Sequence, residues 1–176
     1  EIGFLMLVFP LLSALITPFS GALADRTSYG LLVTLGLFFT AAGLYFTANM
    51  PLEVSLWQII GGQAVLGLGN ALFQPANNSI VMGVAPADKL GIASGINALA
   101  RNMGLVIGTA TAVAVFDYQR LHYTQSILSQ TAAAPEMAAF ISAYHDSMLV
   151  AALTAAAGFL LSLKQSNYLR KNPMVK

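Results

Sequence analysis

The chain has no cysteine, which removes disulfide frameworks, thiolate metal sites and thiol nucleophiles together. Charge is nearly as scarce. Only 9% of the 176 residues are Asp, Glu, Lys or Arg, against about 25% in a soluble domain, so a water-soluble fold would have too little to coat itself with. The formal net charge is +1, and no cluster of Lys and Arg precedes the last residues. The footprint of nucleic-acid binding is therefore missing, and nucleic acid is not an expected partner. No catalytic pair, Gly-rich phosphate loop or zinc-binding helix motif occurs, so neither an enzyme nor a bound cofactor or metal is expected.

What is present is apolar. Hydrophobic residues make up 57% of the sequence. Gly21-Ala-Leu23-Ala-Asp25-Arg26 sets an acid and a base in a short turn between two runs without charge, Ile2 to Ala24 with 23 residues and Thr27 to Leu52 with 26. Each run reaches the ~20 residues needed to cross ~30 Å of hydrocarbon. The expected class is all-α and polytopic, with the lipid bilayer as solvent. Five spans are expected over residues 2–24, 31–48, 54–84, 90–116 and 147–163, with a loop over 117–146 and a tail over 164–176. Glu1 stands in an apolar run with no short h-region and cleavage site after it, so no signal peptide is read there and the chain reads as a fragment of something longer.

Connections between spans alternate sides. One side holds Arg26, Lys89, Lys164, Arg170, Lys171 and Lys176, and the other holds Arg120 alone. The positive-inside rule then puts the tail in the cytoplasm and the 117–146 loop outside a plasma or inner membrane. The third span is long and contains Pro75, which removes a backbone donor and bends helices. One continuous helix to about Val84 is expected there. Within the fourth connection, Ala132 to Tyr144 is a candidate surface helix. Its His122, Glu136 and His145, with Asp146, match no metal-ligand spacing and read as solvated.

Two stripes carry polar chemistry. Gln63, Gly67, Asn70, Gln74 and Asn77 are 4, 3, 4 and 3 residues apart and share one helix face. Unsatisfied amides in hydrocarbon cost several kcal/mol each, so the stripe faces other helices or a wet cavity. Cavity lining is expected for Gln63, Asn70 and Gln74, with interhelical hydrogen bonding as the alternative. The fourth span repeats the pattern with Ser94, Asn97, Arg101, Gly104, Gly108 and Ala112. Gly104 and Gly108 read as a close helix-packing face. Asn97 and Arg101 are further cavity candidates. A cation in a span is costly and usually functional, although Arg101 lies 16 residues before Asp117, or ~24 Å along a helix, where snorkelling to the cytoplasmic interface is equally open. On the first span Pro10, Ser13, Thr17 and Gly21 share a face leading down to Asp25, whose carboxylate suits free amides at a helix N-terminus. Gly36, Thr40, Gly43 and Thr47 on the second span, and Ser147, Thr154, Gly158 and Ser162 on the fifth, read as packing faces. No acid or histidine lies deep within a span, so these residues alone build no proton relay.

Gly21-Ala-Leu23-Ala-Asp25-Arg26 resembles the loop motif G-x-L-A-D-R/K-x-G-R/K-R/K of the major facilitator superfamily, found between the second and third helices of each six-helix half. The following Thr27-Ser28-Tyr29-Gly30 departs from it, as copies in the second half often do. The segments from Gly67 to Asn78, Gly91 to Asn97 and Arg101 to Gly108 are similar to the late helices of fourteen-span drug:proton antiporters. This resemblance implies the last five helices of such a transporter, with small-molecule substrates and protons as partners and the missing N-terminal helices of the same chain completing it. It also implies that the third and fourth spans face the pathway, and that Gln63 stands where the first half carries a coupling arginine, so coupling residues would lie in the missing part. The leading expectation is a drug exporter driven by proton antiport. A transporter for a metabolite or siderophore is the runner-up, and a non-transporting membrane scaffold or receptor is the reading from another class.

The orientation has a direct check. A cysteine at Ser129 is expected to react with an impermeant thiol reagent in intact cells, and one at Ser166 is not. Equal labelling would overturn the topology.

Overall fold

A computed structural model describes residues 2–51, 55–128 and 135–171; of these, the side chains of residues 2–6, 25–26, 124–128, 135–136, 138 and 166–171 are not described. The described chain forms five long helices, α1 (Ile2–Arg26), α2 (Tyr29–Ala48), α3 (Leu56–Val84), α4 (Leu90–Leu128) and α5 (Pro135–Lys171), with a single 3₁₀ turn at Ala87–Lys89. All five contain a stretch long and apolar enough to cross a membrane. The all-α, five-span reading is the architecture found.

Local chemistry sets the helix ends. The Ser28 hydroxyl accepts from the Leu31 amide at 3.3 Å and starts α2. Asn49 closes it, its side-chain amide donating to the Tyr45 carbonyl at 2.8 Å. At the start of α3 the Gln58 side chain accepts from the Ser55 amide at 2.9 Å. The Gly21–Arg26 segment is a continuation of α1 rather than a turn, and the chain reverses over Thr27 and Ser28 alone.

The expected loop over residues 117–146 is largely helical instead. Helix α4 continues to Leu128 and α5 begins at Pro135. Asp117, Arg120 and Asp146 mark the ends of apolar runs, yet a helix projecting beyond hydrocarbon carries polar residues without cost. No Gly or Pro interrupts Asp117 to Leu128, and proline suits a first helical position. At ~1.5 Å per residue, the 39 residues of α4 run to ~58 Å, well beyond hydrocarbon thickness.

The helices pack in the order α1, α3, α2, α5, α4, with α4 meeting α3 lightly. Small residues bring α2 and α3 together. A Cβ on Gly69 would stand 2.6 Å from Thr40 Oγ1, and one on Gly36 would stand 2.8 Å from the Gly69 carbonyl. Gly67 does the same toward α1, where a Cβ would stand 2.9 Å from the Phe9 carbonyl. The α2 threonines fold back on their own helix, Thr34, Thr40 and Thr47 donating to the carbonyls of Gly30, Gly36 and Gly43. With its proton so committed, Thr34 receives the Ser162 hydroxyl of α5 at 2.7 Å in a buried contact. A core of Ala24, Leu32, Val33, Leu72, Ala76 and Ile80 gathers at the Ser28 end. On the outside, Leu7, Leu11, Leu15 and Phe19 form an exposed lane along α1. Apolar surface of that kind belongs in lipid.

Helix α3 runs through Pro75 without interruption. Proline lacks an amide hydrogen, so the carbonyl four residues earlier, that of Ala71, loses its helical donor. Ser20 of α1 supplies one: its buried hydroxyl lies 2.8 Å from the Ala71 oxygen. The same hydroxyl is 2.8 Å from the Thr17 carbonyl, but that carbonyl faces the Gly21 amide within an intact helix, so the orphaned Ala71 oxygen has the stronger claim.

Ser20→Ala in the full-length protein is expected to cost about 1–3 kcal/mol, the penalty for a buried unsatisfied acceptor, read as a lower melting temperature in detergent. Pro75→Ala returns the missing amide and should make Ser20→Ala nearly neutral. An equal loss in both backgrounds would refute the pairing.

Candidate functional site: polar groups along α3 and α4

The α3 stripe divides among several neighbours. Asn70 is engaged between helices, its amide donating to Ser13 Oγ of α1 at 2.9 Å. Gly67 sits beside it against Phe9. Gln63 lines a cavity of about 340 Å³ toward the Asn49 end, walled by Thr47 of α2, Met50 and Pro51 after it, Ile59 and Leu66 of α3, and Ile141 and Tyr144 of α5. Gln74 is half-buried and, like Gln63, has no hydrogen bond to another described residue. The three amides expected to line one cavity are thus two amides without a bonded partner and one interhelical bond between them.

A second polar group joins α3 to α4 near the Ser28 end. The Asn97 amide donates to Asn78 Oδ1 at 2.9 Å. Both line a cavity of about 330 Å³ with Ser94, Met82, Ala98 and Arg101. Arg101 is exposed at its mouth and forms no ion pair among the described residues. One turn and two turns further on, Gly104 and Gly108 meet nothing: a Cβ at either would find no atom within 4 Å. The expected packing face therefore meets no neighbour among the described residues. The close approaches occur at Gly36, Gly67 and Gly69, where the facing helix also offers a glycine, a carbonyl or a threonine. Residues 98–114 of α4 are all exposed.

In the loop motif, Gly21 has open space around it and Leu23 is exposed. The side chains of Asp25 and Arg26 lie outside the described residues, as do residues 129–134 and the tail beyond 171.

One constellation escaped the sequence reading. Asp146, expected in a solvated loop, is half-buried on α5 and ties it to α4: Gln119 Nε2 and Tyr123 OH donate to its Oδ2 at 2.7 and 2.9 Å. His145 Nδ1 stands 3.3 Å from Oδ1. Just inward, Phe116 and Phe140 meet edge to face with centroids 5.3 Å apart. The available signal was Gln119 and Tyr123 four residues apart on one helix face, opposite an acid that opens an apolar run. No group of three metal-ligating side chains occurs among the described residues.

The model of the Major Facilitator Superfamily matches residues 1–161. The chain belongs to that superfamily and is part of a multi-pass membrane protein. Among curated relatives it is 37% identical over 110 residues, 62% of this chain, to an uncharacterized transporter YebQ of Escherichia coli K12. It is 29% identical over 161 residues, 92% of this chain, to the riboflavin transporter RibZ of Clostridioides difficile. It is 32% identical over 110 residues, 62% of this chain, to the methyl viologen resistance protein SmvA of Salmonella typhimurium. It spans only 24%, 34% and 22% of those relatives' lengths, respectively.

The Asn70 to Ser13 bond is open to a double-mutant cycle. Asn70→Leu and Ser13→Ala, separately and together in the full-length protein, are expected to show a coupling of about 0.6 kcal/mol, the average for such bonds, in detergent melting. Strict additivity would remove the bond.

Proposed function

We propose that this chain is the C-terminal part of a fourteen-span secondary transporter that exports drug-like amphipathic compounds across the cell membrane by proton antiport, with its C-terminus in the cytoplasm. The observation that carries the reading is the pair of half-buried amides on α3, Gln63 and Gln74, without bonded partners among the described residues in a helix long and apolar enough to cross a membrane. Groups of that kind are stable in a membrane where they meet water or a ligand. Gln63 already opens on a cavity. Asn97 and Arg101 supply a second polar station on α4, and the bare Gly104 and Gly108 face is read as turned toward helices outside this chain. The coupling acid or base is assigned to the remainder of the transporter, since the described spans place no acid at their middle. Similarity to a methyl viologen resistance protein supports a cationic or amphipathic cargo.

A transporter of a metabolite is the second reading, favoured by the riboflavin transporter whose likeness extends over 92% of this chain. A non-transporting scaffold or receptor would need neither polar station.

Cells expressing the full-length protein are expected to lose preloaded ethidium faster than cells without it, and a protonophore should abolish the difference. Riboflavin uptake with no ethidium efflux would favour the second reading, and movement of neither would favour the scaffold. Gln63→Leu and Gln74→Leu are expected to change the order of preference among substrates while expression and melting temperature hold. A uniform loss for all substrates with falling melting temperature would make both amides structural.

A further inference from the structure

The cavity around Asp146 adjoins the one that Gln63 enters. It measures about 500 Å³ and opens at the Asn49 end between the close of α2, the far part of α4 and the start of α5. That volume lies within the range of small-molecule sites, ~300–1,000 Å³. Its polar wall consists of Asp146, Tyr123, Tyr144, His145, Asn49 and Ser142, and among the described residues no Lys or Arg lines it.

The charge of Asp146 is held in place without being cancelled. Gln119 and Tyr123 are neutral donors, so they fix the carboxylate while leaving its charge in the cavity. His145, at 3.3 Å, neutralises it only when protonated. Tyr123 and Tyr144 line the same cavity as the acid, and aromatic rings attract cations. The rest of the wall is apolar, with Met50 and Ile141 prominent. A hard divalent metal needs several oxygen ligands, and this wall offers one carboxylate. An anion would meet like charge. One fixed negative charge among aromatic and aliphatic surface instead suits a cation with an organic body.

We infer that the cavity bounded by Asp146, Tyr123 and Tyr144 is a binding site for organic cations. Met50, Ile141 and Tyr144 also wall the cavity that Gln63 enters, so the two spaces are neighbours divided by those three side chains. Occupancy of this site does not require the protein to pump, and it stands or falls separately from the transport reading.

The test uses the full-length protein in detergent, with any other cysteine replaced by serine and Ser142→Cys introduced into the cavity wall. Ethidium is expected to slow maleimide labelling of that cysteine several-fold, while Nile red, an uncharged dye of similar size, leaves the rate unchanged. Asp146→Asn should weaken ethidium protection about tenfold or more, and Asp146→Glu should retain it. Tyr144→Leu, which takes no part in the hydrogen bonds to Asp146, should also weaken protection, so the site remains testable if Asp146→Asn loosens α4 from α5. Labelling unaffected by ethidium up to its solubility limit would overturn the proposal. So would equal protection by Nile red, or protection undiminished in both Asp146→Asn and Tyr144→Leu.

Discussion

In hydrocarbon a backbone carbonyl without a donor has nothing to turn to, and Pro75 creates one in the middle of the bundle. The hydroxyl of Ser20 answers it at Ala71. That contact sets the height of α1 against α3, and the remaining contacts between the two helices share its register. Asn70, next to Ala71 in the chain, meets Ser13 two helical turns back along α1, and Gly67 lies against Phe9 a turn beyond. A slip of one residue would leave the Ala71 oxygen orphaned and bring the Gly67 position out of line with the α1 backbone.

The other face of α3 is governed by shape. Gly36 and Gly69 bring α2 close enough that a methyl group at either would overlap backbone. Glycine weakens an isolated helix, yet here each α2 glycine is followed four residues later by a threonine that bonds its carbonyl. The polar hydroxyl is thereby hidden from lipid, and one of these threonines remains free to accept from Ser162 of α5. Helix α2 thus joins α3 through close backbone approach and α5 through a buried hydroxyl pair. It is the centre of the row.

Much of this was legible in the sequence, because span length, charge scarcity and the four-residue spacing of small residues are one-dimensional signals. Five helices, a continuous α3 and the packing face on α2 follow from them, whereas on α5 Gly158 and Ser162 meet α2 and Thr154 is exposed. What a polar side chain meets is a different matter. Nothing local distinguishes Asn70, bonded to α1, from Gln63, open to a cavity, since both occupy the same stripe. Gly104 and Gly108, four residues apart, and Gly36 and Gly43, seven apart, each share a helix face, but among the described residues only the latter pair has a close neighbour. Asp146 was hidden for another reason: a charge at the end of an apolar run looks like a boundary, and its partners Gln119 and Tyr123 reach it from a helix that continues past Asp117.

Helix α4 is joined to the others near its two ends, by Asn97 to Asn78 at one and by Gln119 and Tyr123 to Asp146 at the other, with residues 98–114 exposed between. It is a beam fixed at two supports with an unloaded span. Whatever lies along that span displaces lipid tails and breaks no contact among these five helices. The far acid and the near asparagine are thus joined by one continuous helix, 22 residues or ~33 Å from Asn97 to Gln119.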